Sequence, residues 1–437
     1  MRSGAKCERK NYTGQQKSFL MTDPGLEVTI QPTALATLLE SARTPHELVA
    51  YRGALTPRVL DAPESETAAL VRGAAVHDLG WMRRVAVRGE DRFRWLSGMV
   101  TNSVNDLFPD TGAWNLVLNA QGRIQGDMTV WREGEELSPL RRNPVAAAPE
   151  KPDPLRGTPF AGESGLELEI AADQYEKLMA HLNQFIIMDD VELVPLGAEQ
   201  LGEAGSLAVV GLTGPLANEV LERLGLPVFA HPLKGRYVEW NGLDLRLLRG
   251  YGVLAPHYEL WTPSASLASL WAALRTAGAT PVGCAAVEEL RIAEGIPAYG
   301  IDIAERDLPQ ETSQMRALHF SKGCYLGQEI VERIRSRGSV HRHLRPLELT
   351  GPVPESGTEI TQQDGTPAGK ITSAAELPLA GGSRTFALGM VRSDAELSPQ
   401  RRGPVAGDPD ELKNQTFSYT VGTATGSARI LAEPPTL

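Results

Sequence analysis

The pattern of apolar residues changes near residue 343. After that point the chain reads as short strands between Gly/Pro turns, with the runs LRPLELTG, AGKITSAA, TFALGMV and ARILA. This pattern is typical of a small all-β domain, and we expect a barrel. Before it, helical and strand periodicities alternate. The sequence therefore predicts an α+β protein with a C-terminal β-barrel domain.

The upstream periodicities predict individual elements. Segments with strand alternation are 84–88, 112–118, 191–194, 207–212, 237–240 and 243–249, and segments with a helical stripe are 91–99, 173–184, 217–224, 264–277 and 285–294. Asp173 is the predicted N-cap of its helix, and Gly295 is expected to end the helix at 285–294.

The length of 437 residues indicates two or three domains rather than one core. We predict a disordered tail (1–22), a first α+β domain (23–195), a second α+β domain (196–342) and the barrel domain (343–437). Met21 begins a stretch of more ordinary composition, so the alternative is that residues 1–20 result from a start position assigned too far upstream. Two Pro-rich segments, 138–165 and 398–410, are expected to be flexible insertions. They share the pattern ELSPxRRxPVA, and a basic docking motif used twice is the alternative.

Charge and cysteine content narrow the functional classes. The net charge of −11 argues against broad nucleic-acid or anionic-membrane binding, and no run of eighteen apolar residues could span a membrane. The three cysteines, Cys7, Cys284 and Cys324, form no CxxC pair. A disulfide framework or a four-ligand zinc site is therefore not predicted, and a reducing cytoplasm is the expected location.

The most informative segment is KGCYLGQE, which comprises Lys322, Gly323, Cys324, Tyr325, Leu326, Gly327, Gln328 and Glu329. Its glycines permit tight bends that would expose Cys324. Lys322 could stabilise a thiolate there, so that Cys324 acts as a nucleophile or metal ligand. Gln328 and Glu329 add an amide and a carboxylate. The alternative is a small buried Cys in a Gly-bounded turn.

A basic run follows this motif. It contains Arg333, Arg335, Arg337, His341, Arg342, His343 and Arg345, with no acidic residue between positions 333 and 345. On a predicted strand it could steer a polyglutamate tail, a phosphate or an acidic partner. The alternative is a solvated strand whose arginines pair with nearby acids. His341 and His343 could join Cys324 at a metal, but the spacing lacks a further ligand, and no metal site is predicted.

KGCYLGQE, followed by IVER at 330–333, Arg337-Gly338, Arg342 and Leu344, resembles the signature of the YgfZ-type folate-binding proteins. These are relatives of the aminomethyltransferase (T-protein) of the glycine cleavage system. The similarity runs from about residue 75 to 431 and includes VHDLGWMRRVAVRGEDRFRWLSGMVTNSV and LNAQGRIQGDMTVWR. It implies a three-domain ring around a central channel that accepts tetrahydrofolate.

The resemblance also implies folate-binding residues. Tyr251 and Glu259, in RGYGVLAPHYEL, match a T-protein run whose last carboxylate holds the pterin ring. A carboxylate suits the two adjacent N–H donors of an aminopyrimidine edge. Asn119 and Asp127 lie in the segment that resembles the T-protein Asn-x-x-Gly-Gly-x-x-Asp-Asp. Asp127 could contact the ligand or simply cap the following strand.

Departures from the T-protein pattern disfavour its chemistry. Gly126 stands where T-proteins carry the first of two aspartates. Val287 stands in place of the Arg near the folate tail, and Ala293, beside Glu294, in place of a Glu. The KGCY motif favours the YgfZ branch instead.

The resemblance implies a tetrahydrofolate-binding accessory protein that assembles or maintains iron–sulfur clusters. Its partners would be iron–sulfur assembly proteins or client enzymes, and Cys324 and Lys322 its catalytic candidates. A lone Cys cannot hold a stable cluster, which takes about four ligands. The alternatives are an aminomethyltransferase and a non-catalytic adaptor with a vestigial folate channel. The sequence leaves open whether the protein is an enzyme.

Overall fold

The structure is a computed structural model that describes residues 30–42, 46–134, 165–197, 206–396 and 415–436. The predicted tail, the second insertion and residues 138–164 of the first insertion lie outside these ranges. Within the described part of the chain, no helix is long and apolar enough to cross a membrane.

Strands and helices alternate up to residue 337, and strands dominate thereafter. The strands are β1 (Leu48–Tyr51), β2 (Ala54–Pro57), β3 (Ala75–Asp78), β4 (Met82–Arg88), β5 (Thr111–Leu118), β6 (Ile124–Arg132), β7 (Leu166–Ala171), β8 (Glu192–Leu196), β9 (Leu207–Thr213), β10 (Lys234–Trp240), β11 (Leu243–Arg249), β12 (His257–Pro263), β13 (Thr280–Val282), β14 (Arg342–Thr350), β15 (Glu359–Thr361), β16 (Pro367–Leu377), β17 (Arg384–Arg392), β18 (Thr416–Val421) and β19 (Ala424–Ile430). The helices are α1 (Ala34–Ser41), α2 (Pro63–Arg72), α3 (Arg92–Met99), α4 (Ala172–Asn183), α5 (Ala217–Arg223), α6 (Leu267–Thr276), α7 (Cys284–Ala293), α8 (Gln328–Arg337) and α9 (Ser393–Glu396).

An 11-stranded sheet contains the strands of both predicted α+β domains, in the order β13-β3-β9-β12-β11-β10-β5-β6-β7-β4-β8. Its two halves meet at β5 and β10, where Thr111 pairs with Lys234. The C-terminal strands close into a barrel in the order β14-β17-β16-β15-β18-β19. The predicted α+β class and C-terminal barrel are confirmed, and the domain boundaries at 195 and 342 stay predictions.

Helices cover each half of the sheet with the apolar stripes that their sequences predict. On one half, α6 buries Leu267, Leu270, Trp271 and Leu274 against β9 and β12. On the other half, Leu178 and Leu182 of α4 pack with α3 and with β4, β6 and β7. Each half therefore has its own apolar core.

Two local predictions are wrong. The cap residue of α4 is Ala171, and Asp173 lies inside the first turn, where it forms an ion pair of 3.0 Å with Arg52. The predicted strand for the basic run is a helix up to Arg337, and β14 begins only at Arg342. The alternating arginines suggested a strand, whereas the apolar residues at 330, 331 and 334 follow helical spacing.

Buried charges lie where the two halves of the sheet face each other. Arg84 of β4 pairs with Glu167 of β7 and lies 5.2 Å from the ring centroid of Trp261 in β12. Because β4 and β12 are far apart in the strand order, this contact shows that the sheet folds onto itself. Glu169 hydrogen bonds to Glu259 of β12 in the same interior.

Arg246 of β11 completes this buried cluster. Its side chain is 2% exposed, and its guanidinium has no hydrogen-bond partner within the described chain. The nearest carboxylates belong to Glu167 at 3.8 Å and Asp110 at 3.9 Å. Such groups stabilise a fold only when their charges are compensated. Three carboxyl groups and two guanidinium groups share this interior, and the pKa of Glu169 is raised, so Glu169 is expected to carry a proton.

Asp302 connects the barrel to the rest of the molecule. Its Oδ2 accepts hydrogen bonds from Arg291 Nη1 of α7 at 2.7 Å and from the Ala298 N–H at 3.0 Å. Its Oδ1 accepts from the hydroxyl groups of Thr372 and Ser373 in β16, both at 2.6 Å. One buried carboxylate thus accepts hydrogen bonds from both the α+β part and the barrel.

We expect Asp302→Ala to lower the free energy of unfolding by about 3–5 kcal/mol, because the buried Ser373 hydroxyl and the Ala298 N–H would lose their acceptor. Arg291 would keep only its pair with Glu288. Glu359→Ala, which removes an exposed pair with Lys370, should cost at most about 1 kcal/mol. Urea unfolding of both variants measures the difference. Equal losses would contradict the role assigned to Asp302.

The buried carboxyl pair predicts a pH dependence. Burial and then the charge of Glu259 raise the pKa of Glu169 well above its ordinary value of 4.5. A carboxyl group whose pKa is raised by folding stabilises the folded state fully at pH values below its unfolded-state pKa. This stabilisation is lost as the pH rises through its folded-state pKa.

We therefore expect the free energy of unfolding of the wild type to fall, between about pH 5 and 8, more steeply than that of Glu169→Gln. The amide of the variant stays neutral throughout this range. Urea unfolding at several pH values gives the two slopes, and Glu219→Gln on the exposed face of α5 should keep the wild-type slope. Parallel slopes for wild type and Glu169→Gln would show that folding does not raise the pKa of Glu169.

Candidate functional site

The KGCYLGQE loop leads directly into α8. Gly327 has φ +82°, and a Cβ there would lie 2.6 Å from the carbonyl oxygen of Asn119, so both backbone and space require glycine. The Leu326 N–H donates to the Gly98 carbonyl at 2.9 Å. Cys324 lies exposed in this bend. The predicted exposure of the thiol is confirmed, and the buried alternative is wrong.

Lys322 anchors the loop to the end of α3. Its Nζ donates hydrogen bonds to the carbonyl oxygens of Ser97, Val100 and Asn102 at 2.7, 2.6 and 2.7 Å. These acceptors engage all three ammonium protons at the helix end that favours positive charge. Burial lowers the pKa of Lys322 to about 8. This geometry gives Lys322 a positioning role, and its action on the thiol stays a prediction.

The remaining motif residues hold the loop's shape. Tyr325 packs into the apolar cluster around Leu116 and Ile303, and burial raises its pKa to about 12. Gln328 Oε1 accepts the Tyr325 N–H at 3.3 Å. Gly323 and Glu329 are exposed.

Thr101 and Asn102 join this loop to the neighbouring segment around Arg316. The Thr101 hydroxyl donates to the Ala317 carbonyl at 2.6 Å. Asn102 Nδ2 donates to the carbonyl oxygens of Arg316 at 2.9 Å and Trp114 at 3.3 Å. Since the Asn102 carbonyl also accepts from Lys322, one residue contacts both the thiol loop and the Arg316 segment.

A cavity of about 540 Å³ lies between the α+β part and the barrel. Its wall is formed by Tyr251, Val253, Ala293, Glu294, Gly295, Ile296, Ser313, Gln314, Met315, Arg316, Leu344, Arg345, Pro346, Leu388 and residues 430–435. The volume is in the range of small-molecule sites. Tyr251 was predicted to bind folate and lies in this wall, whereas Asn119, Asp127 and Glu259 are not among the lining residues.

Arg316 and Glu294 are two of the charged residues in the cavity wall, and the sequence analysis did not identify Arg316. Its guanidinium lies 3.4 Å from the ring centroid of Tyr251 and 4.8 Å from that of Trp114. Burial lowers the pKa of Arg316 to about 10. Glu294 Oε1 accepts the N–H groups of Val253 and Leu254 at 2.9 and 2.8 Å, and burial raises the pKa of Glu294 to about 7.

Asp127 lies inside β6, so the predicted alternative that it caps a strand is wrong. Its carboxylate oxygens accept from Trp114 Nε1 at 2.9 Å and from Gln174 Nε2 at 2.6 Å. A Cβ on the adjacent Gly126 would lie 2.7 Å from Gln174 Oε1 and 2.8 Å from Leu178 Cδ1, so a second aspartate would require these side chains to move. Asn119 Oδ1 accepts from the N–H groups of residues 121 and 123 and closes the turn between β5 and β6.

Glu259 belongs to the buried cluster between the two halves of the sheet. Its side chain is 5% exposed, and its Oε2 accepts from Trp261 Nε1 at 3.0 Å. Its role as a pterin ligand stays a prediction that requires access to this interior.

The arginines of the basic run mostly pair with acids, as the alternative predicted. Arg342 contacts Asp307 at 2.6 Å and Glu311 at 3.2 Å. The other contacts are Arg335 with Glu332 and the ring of Phe320, and Arg345 and His343 with Glu396. Arg333 is exposed, and Arg337 ends α8. Among the residues with described positions, no three His, Cys, Asp or Glu side chains group to hold a metal.

Two family models match the chain. The GCVT N-terminal domain matches residues 44–141 and 203–322, and the CAF17 C-terminal beta-barrel domain matches residues 341–410.

Curated relatives share about a quarter of their residues with the chain. An aminomethyltransferase of Rubrobacter xylanophilus is 27% identical over 80% of this chain and 84% of its own length. One of Herpetosiphon aurantiacus is 26% identical over 76% of this chain and 84% of its own length. A chloroplast protein of Arabidopsis thaliana, named as a candidate transferase, is 25% identical over 74% of this chain, which spans 66% of that relative.

The crystal structure of the glycine cleavage system aminomethyltransferase T from Bartonella henselae has the same fold. It superposes with a TM-score of 0.72 at 18% identity and covers 92% of this chain and 97% of its own. A GCVT-type sheet region followed by a CAF17-type barrel is the combination that the KGCYLGQE motif led us to expect. The chain belongs to the YgfZ/CAF17 family, within the aminomethyltransferase-like fold.

Proposed function

We propose that the protein binds a reduced folate, tetrahydrofolate or a close derivative, in the cavity between the α+β part and the barrel. It would act as an accessory protein in the assembly or maintenance of iron–sulfur clusters through the thiol of Cys324. Its partners would be iron–sulfur assembly proteins or client enzymes, with the cytoplasm as the predicted location.

The observation that carries this proposal is the connection between an exposed thiol and a ligand-sized cavity. Lys322 holds the thiol loop by the Asn102 carbonyl, and the Asn102 side chain holds the Arg316 carbonyl in the cavity wall. Reactive cysteines lie in partly exposed loops, and Cys324 satisfies this condition. Cys284, by contrast, is buried in α7, and burial raises its pKa to about 12.

The chemistry of the cavity wall suits a heterocycle with polar edges. Tyr251 offers a flat surface for stacking, and Glu294 offers a carboxyl group. The apolar remainder of the wall, including Leu344, Ile296 and Leu388, would exclude water from a bound ring.

Two observations argue against aminomethyl transfer by the T-protein mechanism. The position of the first aspartate is glycine, and Gln174 and Leu178 occupy the space that its side chain would need. Val287, which replaces the folate-tail Arg, packs in an apolar cluster with Leu254. Transient binding of sulfur or metal at a lone thiol fits the site better than a resident cluster, which takes about four ligands.

Titration of the full chain with tetrahydrofolate should show saturable binding. Glu259 lies outside the wall of this cavity, so Glu259→Gln tests whether the pterin reaches the interior between the two halves of the sheet. A pterin bound there should lose about tenfold or more in affinity, because an amide presents one acceptor and two donors to the N–H edge. Glu219→Gln on α5 is the matched control. Absence of binding by the wild type would overturn the folate part of the proposal, and an undiminished affinity of Glu259→Gln would remove Glu259 from the site.

Cells that carry Cys324→Ser should lose most of the activity of an iron–sulfur enzyme that depends on this protein, because serine is a far weaker nucleophile and metal ligand. Folate binding by the purified variant should be retained, since the exposed side chain is not in the cavity wall. Cys284→Ala controls for the loss of a thiol elsewhere. Full enzyme activity with Cys324→Ser would exclude a chemical role for the thiol and favour the adaptor alternative.

A further inference from the structure

The cavity wall contains two guanidinium groups in different electrostatic situations. Arg345 is tied to Glu396 by hydrogen bonds of 2.8 and 3.1 Å. Arg316 forms no ion pair within 4 Å in the described part of the chain, and its Nε donates to the neutral Gln314 Oε1 at 3.2 Å. Arg316 is thus a cation in the wall whose charge no direct partner neutralises.

The nearby carboxylates are already engaged by other donors. Both oxygens of Asp127 accept from Trp114 and Gln174. Glu294 accepts from two backbone N–H groups, and its raised pKa leaves it partly neutral near pH 7. Glu433 also lies in the cavity wall. The acids around the cavity therefore influence Arg316 at a distance rather than by direct pairing.

The orientation of Arg316 is held by aromatic rings. The Tyr251 and Trp114 centroids lie 3.4 and 4.8 Å from its guanidinium carbon. Stacking against rings fixes the guanidinium plane but leaves its N–H groups free for acceptors in that plane. The backbone of Arg316 is held in turn by Asn102.

One N–H group of this guanidinium lacks an acceptor. Nη1 is buried and has no hydrogen-bond partner among the described residues. A buried, unsatisfied donor on a charged group is costly, and an incoming acceptor would recover that cost. Carboxylates are the acceptors that match the planar fork of Arg best.

We propose that Arg316 binds a carboxylate of the ligand's tail and makes the cavity selective for ligands that carry one. This inference rests on the proposed function. It assigns recognition of the ligand's tail to the segment before the KGCYLGQE loop rather than to α7, where position 287 is a valine packed against an apolar cluster. Recognition would thus come from a residue on a different element.

The test compares two ligands that share a ring system. Tetrahydrofolate carries the aminobenzoyl-glutamate tail, and 6-methyltetrahydropterin lacks it. We expect Arg316→Gln to weaken tetrahydrofolate binding about tenfold or more and to leave 6-methyltetrahydropterin binding within about twofold of the wild type. Arg316→Lys, which keeps the charge but loses the fork, should give an intermediate loss.

Arg223→Gln, on the exposed face of α5, is the control, and the thermal midpoint of each variant reports on folding. Equal loss of both ligands would overturn the inference, because Arg316 would then act on the ring or on the shape of the cavity. Unchanged tetrahydrofolate binding would overturn it as well. If the wild type binds neither ligand, the proposed function and this inference fail together. The wild-type titrations reveal this outcome before any variant is measured, whereas the other two outcomes concern only Arg316.

Discussion

The candidate site depends on how one ammonium group is satisfied. Lys322 donates to three backbone carbonyls at the end of α3, and this contact determines where the loop and Cys324 lie. Backbone acceptors are rigid, so the position of the thiol is set by the first half of the sheet rather than by surface side chains. Removal of the ammonium would leave three carbonyls to find water, and the loop would lose its anchor.

A second constraint is electrostatic and lies between the halves of the sheet. Arg84, Glu167, Glu169, Arg246 and Glu259 are withdrawn from solvent together. Buried charges stabilise a fold only when they compensate one another, and the raised pKa of Glu169 reduces the negative charge in this interior. The same arrangement makes the interior polar, which is unusual for the contact between two sheet faces and consistent with a site that admits a polar ligand.

The cavity and the thiol loop belong to one contact network. Asn102 contacts the loop through its carbonyl and the cavity wall through its side chain. A ligand that orders Arg316 would therefore act on a segment that shares a hydrogen-bonding residue with the thiol loop. Through this connection, the proposed folate could affect the thiol loop without touching Cys324.

Local sequence patterns determined much of the fold. The apolar stripes of α4 and α6 and the change to short strands after residue 343 identified the elements, because periodicity reports which face is buried. The KGCYLGQE motif located the exposed thiol. The predicted cap at Asp173 was wrong because this side chain pairs with Arg52 instead. The predicted strand after residue 333 was wrong because the apolar residues there follow helical spacing, which outweighed the alternation of the arginines.

Only the tertiary structure decided the partners of the charged residues. Arg316 was inconspicuous in the sequence, since its importance comes from Tyr251 and Trp114, which are distant in the chain. Lys322 was predicted to act on its neighbour Cys324 but reaches back to α3. A sequence determines which residues are near each other along the chain and which faces are apolar. Charge compensation and cavities depend on contacts between distant segments, and these exist only after the sheet and barrel have packed.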